Sequence, residues 1–505
     1  QAGRGPPYDR GTMERPSSTR ERPRRAQSAR AARERDPASA SAQPAAPPSN
    51  PPASTHLPRT PLPFPGLSSN GATVRWRSDF DKSVVTSNFH RLGWVAWMPG
   101  EGEDWNVFWA SVQTVKSLFN PEHGVRLGDH QLVNHFPNHY ELTRKDLMVK
   151  NLRRYRKEVE RDGGVAGPGG ASTEQLDFVP MTYVLPADLS LFSEEFKRNP
   201  NSTWIVKPTA KAQGKGIFLI NRLAQVKRWA AGQWPGLTKP TAAESYVVSR
   251  YIEEPFLVGG RKFDLRLYVC VTSYRPLRAY RSELGFARFC NVKYSSDAVD
   301  LDNQYVHLTN VAIQKHGEEY NESHGNKWPL RCLKLYIEST RGHEAAEQLF
   351  SAIDAIIVNS LRACANVIVN DRHCFELYGY DVIIDRDLKP WLIEVNASPS
   401  LSTTNEDDRA LKSKVISDTL ACAVPPDFPS VPAGGGAKRD PSDPGGPHDG
   451  RRIGSMVLLV DEAMEQEAER NLAREMAEAK ANPPSRGGGV SGSGGRRPRP
   501  LSARP

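Results

Sequence analysis

Between Phe375 and Ser400 the chain reads FELYGYDVIIDRDLKPWLIEVNASPS, the stretch that most restricts what the whole can fold into. Aromatic and β-branched residues from Tyr378 to Ile384 predict a strand. Asp385 to Leu388 then predicts a turn, and Pro390 to Val395 a returning strand. A side-chain period of two puts Trp391, Ile393 and Val395 on one face and Leu392, Glu394 and Asn396 on the other. Asp381 stands among Val382, Ile383 and Ile384. If the two strands pair, Asp381, Glu394 and Asn396 bring three oxygen-bearing side chains together. Two carboxylates in such apolar company cost several kcal/mol each unless something neutralises them. Mg²⁺ does so, because it takes one or two carboxylates and leaves its other positions to water and phosphate oxygens. The competing reading is an amphipathic hairpin whose acids face water.

The ends of the 505-residue chain differ in kind from its middle. Residues 1–71 are rich in Arg, Pro, Ser and Ala, with few apolar clusters, and are expected to stay disordered. Residues 425–505 are Pro- and Gly-rich and carry the same expectation, except for an amphipathic helix at about 456–481, where Met464, Ala468, Leu472 and Met476 recur at steps of four. Residues 72–424 are left for one large enzyme-sized unit. The net charge is +9, and ten arginines precede Pro37 against five acids, so more than half of the surplus sits in the first tail. That charge is compatible with an acidic partner, but no aromatic-and-basic recognition motif accompanies it, so a nucleic-acid partner is not expected. Asp9, Glu14, Glu21 and Glu34 argue against a transit peptide. No apolar run approaches the ~20 residues of a membrane span, so no membrane partner is expected either. The six cysteines show neither paired nor metal-ligand spacing and read as reduced thiols of a cytoplasmic protein.

Three further stretches carry chemistry. In TWIVKPTAKAQGKGIFLI, Thr203 to Ile220, a strand ends at Lys207-Pro208 and a Gly-containing loop leads into a second strand. Backbone N–H groups of such a loop can cradle phosphate, with Lys207, Lys211 and Lys215 supplying charge. This is not a Walker motif, since no GK[ST] opens a helix. In SYVVSRYIEEPFLVGGRKFDLRLYVCV, Ser245 to Val271, strand pairing must stop at Pro255, which leaves backbone groups for an adenine edge. Lys262, Asp264 and Arg266 then alternate with Phe263, Leu265 and Leu267; a surface strand with paired charges is the alternative. Finally, NHFPNHYELTRKDLMVKNLRRYRKE, Asn134 to Glu158, predicts a helix with one apolar stripe and a basic remainder from Lys150 to Lys157. That remainder is either a solvated face or a surface for an acidic partner.

Together these runs resemble the tubulin–tyrosine-ligase-like amino-acid ligases, from about Val74 to Val424. The resemblance is carried by WIVKP, the QGKGI loop, GGRKFDLRLYV, HLTNVAIQKH, YGYDVIIDRDLKPWLIEVNASPSL and NHFPNHYELTRKDL, and KAQGKGIFLIN and YVHLTNVAIQKHGE are most similar to the glutamylating members. It implies an α/β (α+β) ATP-grasp fold with N-terminal, central and C-terminal lobes. ATP would be contacted by Lys207, Gln213, Gly214, Ser249, Arg250, Tyr251, Ile252, Lys262, Phe263, Asp264, Thr309 and Asn310. Asp381, Glu394 and Asn396 would hold Mg²⁺, and Arg288 and Lys327 would bind free L-glutamate. Arg266 and Lys207 would serve the phosphoryl or acyl-phosphate step. The implied acceptor is the acidic C-terminal tail of tubulin on microtubules, which suits the basic helix at Lys150 to Lys157. Further implied are partner subunits of a polyglutamylase complex and a place in the cytoplasm and cytoskeleton, at the axoneme and basal body of a cilium or flagellum. The rivals are a glycine or tyrosine ligase of the same fold and a non-catalytic microtubule-associated subunit.

Overall fold

The computed structural model describes residues 73–100, 102–163, 173–209, 211, 213–231, 245–297, 300–321, 326–425, 428 and 451–481. The expected tails at 1–71, 429–450 and 482–505 lie outside these residues, as does nearly all of the loop from Gly163 to Gly170. Among the described residues the chain is mixed α/β, with three sheets.

The first sheet is parallel, order β2-β1-β3-β4, from β1 (Arg75–Ser78), β2 (Val95–Ala96), β3 (Val107–Trp109) and β4 (Leu132–Val133). Helices α1 (Ser83–Arg91) and α2 (Val112–Leu118) connect its strands. Val107–Trp109 is buried strand, and α2 starts only after Ser111, whose hydroxyl accepts from the Thr114 N–H. The next helical stretch divides into α3 (Tyr140–Thr143) and α4 (Lys145–Arg161). The segment before them is pinned to the rest of the chain by Glu376, whose carboxylate receives His135 Nδ1 at 2.9 Å and the Phe136 N–H at 3.1 Å.

The second sheet, order β5-β8-β6-β7, is antiparallel and consists of β5 (Thr182–Leu185), β6 (Trp204–Pro208), β7 (Phe218–Ile220) and β8 (Tyr246–Arg250). α5 (Leu189–Arg198) and α6 (Leu223–Ala230) accompany it, and Phe192, Phe196, Trp204, Val226 and Val248 share its core.

The third and largest sheet has eight antiparallel strands: β9 (Leu257–Val258), β10 (Arg261–Tyr274), β11 (Leu277–Phe289), β12 (Lys327–Pro329), β13 (Glu376–Ile384), β14 (Pro390–Asn396), β15 (Arg452–Ile453) and β16 (Met456–Asp461). The short α7 (Gln304–His307) and α8 (Val311–Gln314) precede β12, and α9 (Leu330–Arg341) and α10 (His343–Ala365) follow it. Period-two alternation along β10 sends Phe263, Leu265, Leu267, Val269 and Val271 into the main core with Leu349, Ile353, Ile357 and Leu361 of α10. Tyr268 and Cys270 point the other way, under Val415, Ile416 and Leu420 of α11 (Glu406–Ala423).

Two sequence expectations change here. The hairpin β13–β14 forms, but a bulge lies between the Asp381↔Glu394 and Val382↔Leu392 pairs. One extra residue in β14 breaks strict alternation, so Leu392 and Val395 both enter the main core. The other change is at 456–481, where the structure has strand before helix: β15 and β16 form a hairpin that adds β16 to the free edge of β11, and α12 (Glu462–Ala481) starts only at Glu462. MVLLV is a buried-strand run, and the Gly454-Ser455 turn before it closes the hairpin. Gly454 has φ +59, and a Cβ there would collide with the Asp418 carboxylate, which accepts from the Ser455 N–H at 2.9 Å and hydroxyl at 2.7 Å. So the folded unit continues beyond 424.

Met456 is completely buried under α11 and Val460 lies in the main core. Met456→Ala is therefore expected to cost about 2–5 kcal/mol, and removal of all residues after 450 to bare the β11 edge and cause aggregation. Thermal melting and size-exclusion chromatography check this; an unchanged melting temperature in both variants refutes it.

Candidate active site

An open cleft lies between the four-stranded and eight-stranded sheets, lined by β6, β8, β10, β13, β14, the start of α4, the loop after β6 and the segment 307–310. Its apolar wall is made by Met148, Val179, Ile205, Ile217, Ile383 and Leu392. Its polar wall holds Lys145, Lys207, Lys211, Lys262, Asp264, Asp381 and Glu394. A groove apolar on one side and crowded with cations on the other suits a flat heteroaromatic carrying phosphates.

Pairing of five strands generates the floor. Directly opposed residues of antiparallel strands share a face, and the register opposes Glu394 to Asp381 and Asp381 to Arg266. One row away it opposes Asp264 to Arg288 and Arg288 to Lys327. Arg266 donates to Asp381 at 2.6 and 3.0 Å, Arg288 to Asp264 at 2.8 and 2.5 Å, and Arg288 also to Asp381 at 2.8 Å. Burial alone would raise the Asp381 carboxyl, but the two guanidiniums hold it well below the usual carboxylate range. Glu394 pairs with Lys145 at 2.8 Å. Asn396 donates to the Gly379 carbonyl at 3.2 Å and, at 3.5 Å, to Glu394. Of the three side chains expected to hold a metal, Glu394 and Asn396 meet and Glu394 stands opposite Asp381 across the hairpin; all three carry hard oxygen donors of the type Mg²⁺ takes.

The other wall holds two buried lysines. Lys262 donates to the Tyr251 hydroxyl at 2.8 Å and the His307 carbonyl at 3.0 Å. Tyr251 in turn bonds His307 Nδ1 at 2.9 Å, and His307 Nε2 donates to the Asp300 carbonyl at 2.8 Å. His307 stays neutral at physiological pH, since burial and the nearby Lys262 lower it to about 4. Burial lowers both Lys262 and Lys207 to about 8, against the opposing pull of Asp264 on the first and Glu394 on the second. These cations are held ready for an anion.

The loop after β6 approaches the segment 307–310. Gln213 has φ +63 and Gly214 φ +77, and a Cβ on Gly214 would lie 2.5 Å from Ile313 Cδ1 and 3.0 Å from Asn310 Oδ1. Close approach therefore requires glycine there. Ser249, Arg250, Tyr251, Ile252, Thr309 and Asn310 all line the cleft as well.

Some expected site residues lie elsewhere. Phe263 turns its ring into the main core between Phe256 and Phe289, as alternation along β10 requires. Arg266, Arg288 and Asn396 stand beside the cleft-lining carboxylates but do not line the cleft themselves. Lys327 reaches Asp408 at 3.1 Å, on the α11 side of the sheet. The basic helix is also less free than its sequence implies: Arg153 bonds Asp188 and the Thr182 carbonyl, Arg154 the Ala363 carbonyl, and Arg156 Glu160. Sequence reading missed Lys145 and His307. Both sit in motifs that carry the family resemblance, but neither has a local pattern that marks it as chemical.

The chain is mixed α/β with a charged cleft, and comparison with known proteins gives the class. The chain belongs to the tubulin-tyrosine ligase family, whose model matches residues 123–431, and that membership makes it a ligase. It is 47% identical over 396 residues, 78% of this chain and 94% of the relative, to the probable alpha-tubulin polyglutamylase Ttll1 of Tetrahymena thermophila. It is 44% identical over 376 residues, 69% of this chain and 79% of the relative, to the probable tubulin polyglutamylase TTLL9 of Bos taurus. With tubulin polyglutamylase TTLL5 of Homo sapiens it shares 34% identity over 361 residues, 68% of this chain but 25% of that longer protein.

Asp381 is the common partner of both buried arginines, so Asp381→Asn strands positive charge in the sheet. The expected cost is about 3–5 kcal/mol of stability, measured by thermal or urea unfolding. A loss below 1 kcal/mol refutes the account of the network.

Proposed function

We propose that this chain is an ATP-dependent tubulin polyglutamylase of ATP-grasp type, joining glutamate to glutamate side chains in tubulin C-terminal tails. The names of the relatives support tubulin and glutamate. The observation that carries the choice of amino acid is the cross-strand pair Arg288 and Lys327, two cations opposed on β11 and β12 beside the carboxylate row. Each already grips a carboxylate, that of Asp264 and that of Asp408 respectively. A glutamate substrate brings two carboxylates and needs two such grips, whereas glycine or tyrosine needs one.

ATP lies in the cleft in this reading. Its base rests on Ile205, Ile217 and Leu392 near the Ser249 to Ile252 edge, and its phosphates extend toward Lys207, Lys262, Gln213, Gly214, Thr309 and Asn310. Asp264, although it lines the cleft, serves there chiefly to orient Arg288. Asp381, Glu394 and Asn396 would hold Mg²⁺, which would supply positive charge against that developing on the transferred phosphoryl group. The acceptor carboxylate attacks the γ-phosphorus and ADP leaves, giving an acyl phosphate. The free amine of glutamate then attacks the acyl carbon, phosphate departs, and an amide bond remains. Lys207 and Arg266 stabilise the negative charge on the phosphoryl group in both steps. The exposed Met464, Leu472 and Met476 of α12 offer a seat for another subunit of a polyglutamylase complex. The place of work is the cytoskeleton, including axoneme and basal body; among the described residues no helix is long and apolar enough to cross a membrane.

Mass spectrometry of tubulin tails after incubation with protein, Mg-ATP and each of glutamate, glycine and tyrosine tests this, with glutamyl addition alone expected. Glu394→Gln should lower that rate on the order of 10³-fold with little change in melting temperature. Incorporation of glycine or tyrosine instead, or normal turnover of the variant, overturns the reading.

A pH effect follows from the two buried lysines. In the empty cleft they lose protons near pH 8, and bound phosphates favour the charged forms, so binding takes up protons above that pH. Affinity for an ATP analogue is expected to be level below about pH 7.5 and to fall by up to tenfold per pH unit for each lysine as pH rises from 8 to 9. Affinity constant to pH 9.5, followed by calorimetry in buffers of different ionisation enthalpy, contradicts it.

A further inference from the structure

Asp408, in the first turn of α11, is nearly sealed from solvent, and a single oxygen of its carboxylate receives two lysines. Lys327 Nζ lies 3.1 Å and Lys412 Nζ 3.0 Å from Oδ2, which also accepts from the Thr404 N–H at 3.1 Å and hydroxyl at 3.3 Å. Lys412 is one helical turn further along α11, with side-chain exposure of 4%, and also donates to the Ser402 carbonyl at 2.5 Å. One carboxylate needs one counterion, and a second buried ammonium is costly to keep. The cluster therefore carries one surplus positive charge, which a substrate carboxylate would complete.

We propose that Lys412 is the reserve counterion of Asp408, and that it releases Lys327 to grip a carboxylate of the incoming amino acid. This deepens the reading of Lys327 as a glutamate ligand and rests on it. Lys327 is the member placed to leave, because it comes from the short strand β12 and beside Asp408 meets the exposed Thr404 hydroxyl at 3.2 Å, whereas Lys412 is held on α11 and by the Ser402 carbonyl at 2.5 Å. When Lys327 turns to substrate, Asp408 Oδ2 keeps Lys412 and both Thr404 donors, so no buried charge is stranded. Without Lys412, Lys327 can leave only by abandoning an unpaired buried carboxylate. Lys412 is a positioning residue, acting through Asp408 and Lys327 and touching no substrate itself.

The test is equilibrium dialysis of radiolabelled L-glutamate against the full-length chain, saturated with Mg²⁺ and a non-hydrolysable ATP analogue. Lys412→Met should weaken glutamate binding at least tenfold and change affinity for the analogue less than twofold. Adding Asp408→Asn should restore glutamate affinity to within threefold of the original, because nothing charged is then left behind. Unchanged glutamate binding in Lys412→Met, or a double variant as weak as the single one, overturns the proposal. If Lys412→Met does not fold, the double variant is compared with Asp408→Asn: equal affinities support the proposal, and a tenfold weaker double variant overturns it. Lys327→Ala separates the two levels of inference. Normal glutamate binding there removes both the glutamate-ligand reading and the relay; lost binding there with normal binding in Lys412→Met removes the relay alone.

Discussion

The ion network of Asp264, Arg288, Asp381 and Arg266 is the interaction on which the rest of this protein depends. Two acids and two guanidiniums lie on one face of the central sheet, all of them buried. Each would be costly there alone, and together they are tolerated because the register brings every charge within hydrogen-bond distance of its opposite. The apolar face of the same strands rests on α10, so the charged face is presented by a rigid support. A site built on paired strands in this way holds its geometry more closely than one assembled from loops.

Above that balanced floor the charges are not balanced. Lys145 comes from α4, Lys207 from β6 and Lys262 from β10, and all three line the same cleft as Asp381 and Glu394. Burial makes Lys207 and Lys262 weaker acceptors of protons than free lysines, which is the cost of crowding cations without a full set of anions. A polyanion repays that cost when it binds. The same logic recurs further along the same face of the sheet, under α11, where Asp408 holds two lysines at once. In both places the chain keeps surplus positive charge where a substrate's negative charge is to arrive.

Much of this was legible in the sequence, and the exceptions have physical causes. The β13–β14 hairpin could be read because aromatic and β-branched runs flank a polar turn. Lys262 and Asp264 could be read because they alternate with Phe263 and Leu265 along β10, and Lys207 because it ends a strand just before a Gly-containing loop. The bulge in β14 could not, because nothing local distinguishes Ile393 from its neighbours; the bulge exists because Leu392 and Val395 must both reach one core. MVLLV does not announce its strand role locally, because that role depends on a free edge on β11, more than 160 residues earlier in the chain. The arginines of α4 looked free because their partners Asp188 and Ala363 are remote in sequence.

The sequence by itself determined which segments are strands and helices over most of the core, which residue types carry charge, and that three oxygen donors lie on one hairpin. Those properties follow from local periodicity and turn chemistry. The tertiary structure decided which charges meet: Lys145 with Glu394, Arg288 with both Asp264 and Asp381, and Lys327 with Asp408 rather than with the cleft. Electrostatic pairing acts over a few ångströms of space, whatever the separation along the chain. Only the folded sheet, by setting register across five strands, could turn a scatter of charged residues into a site.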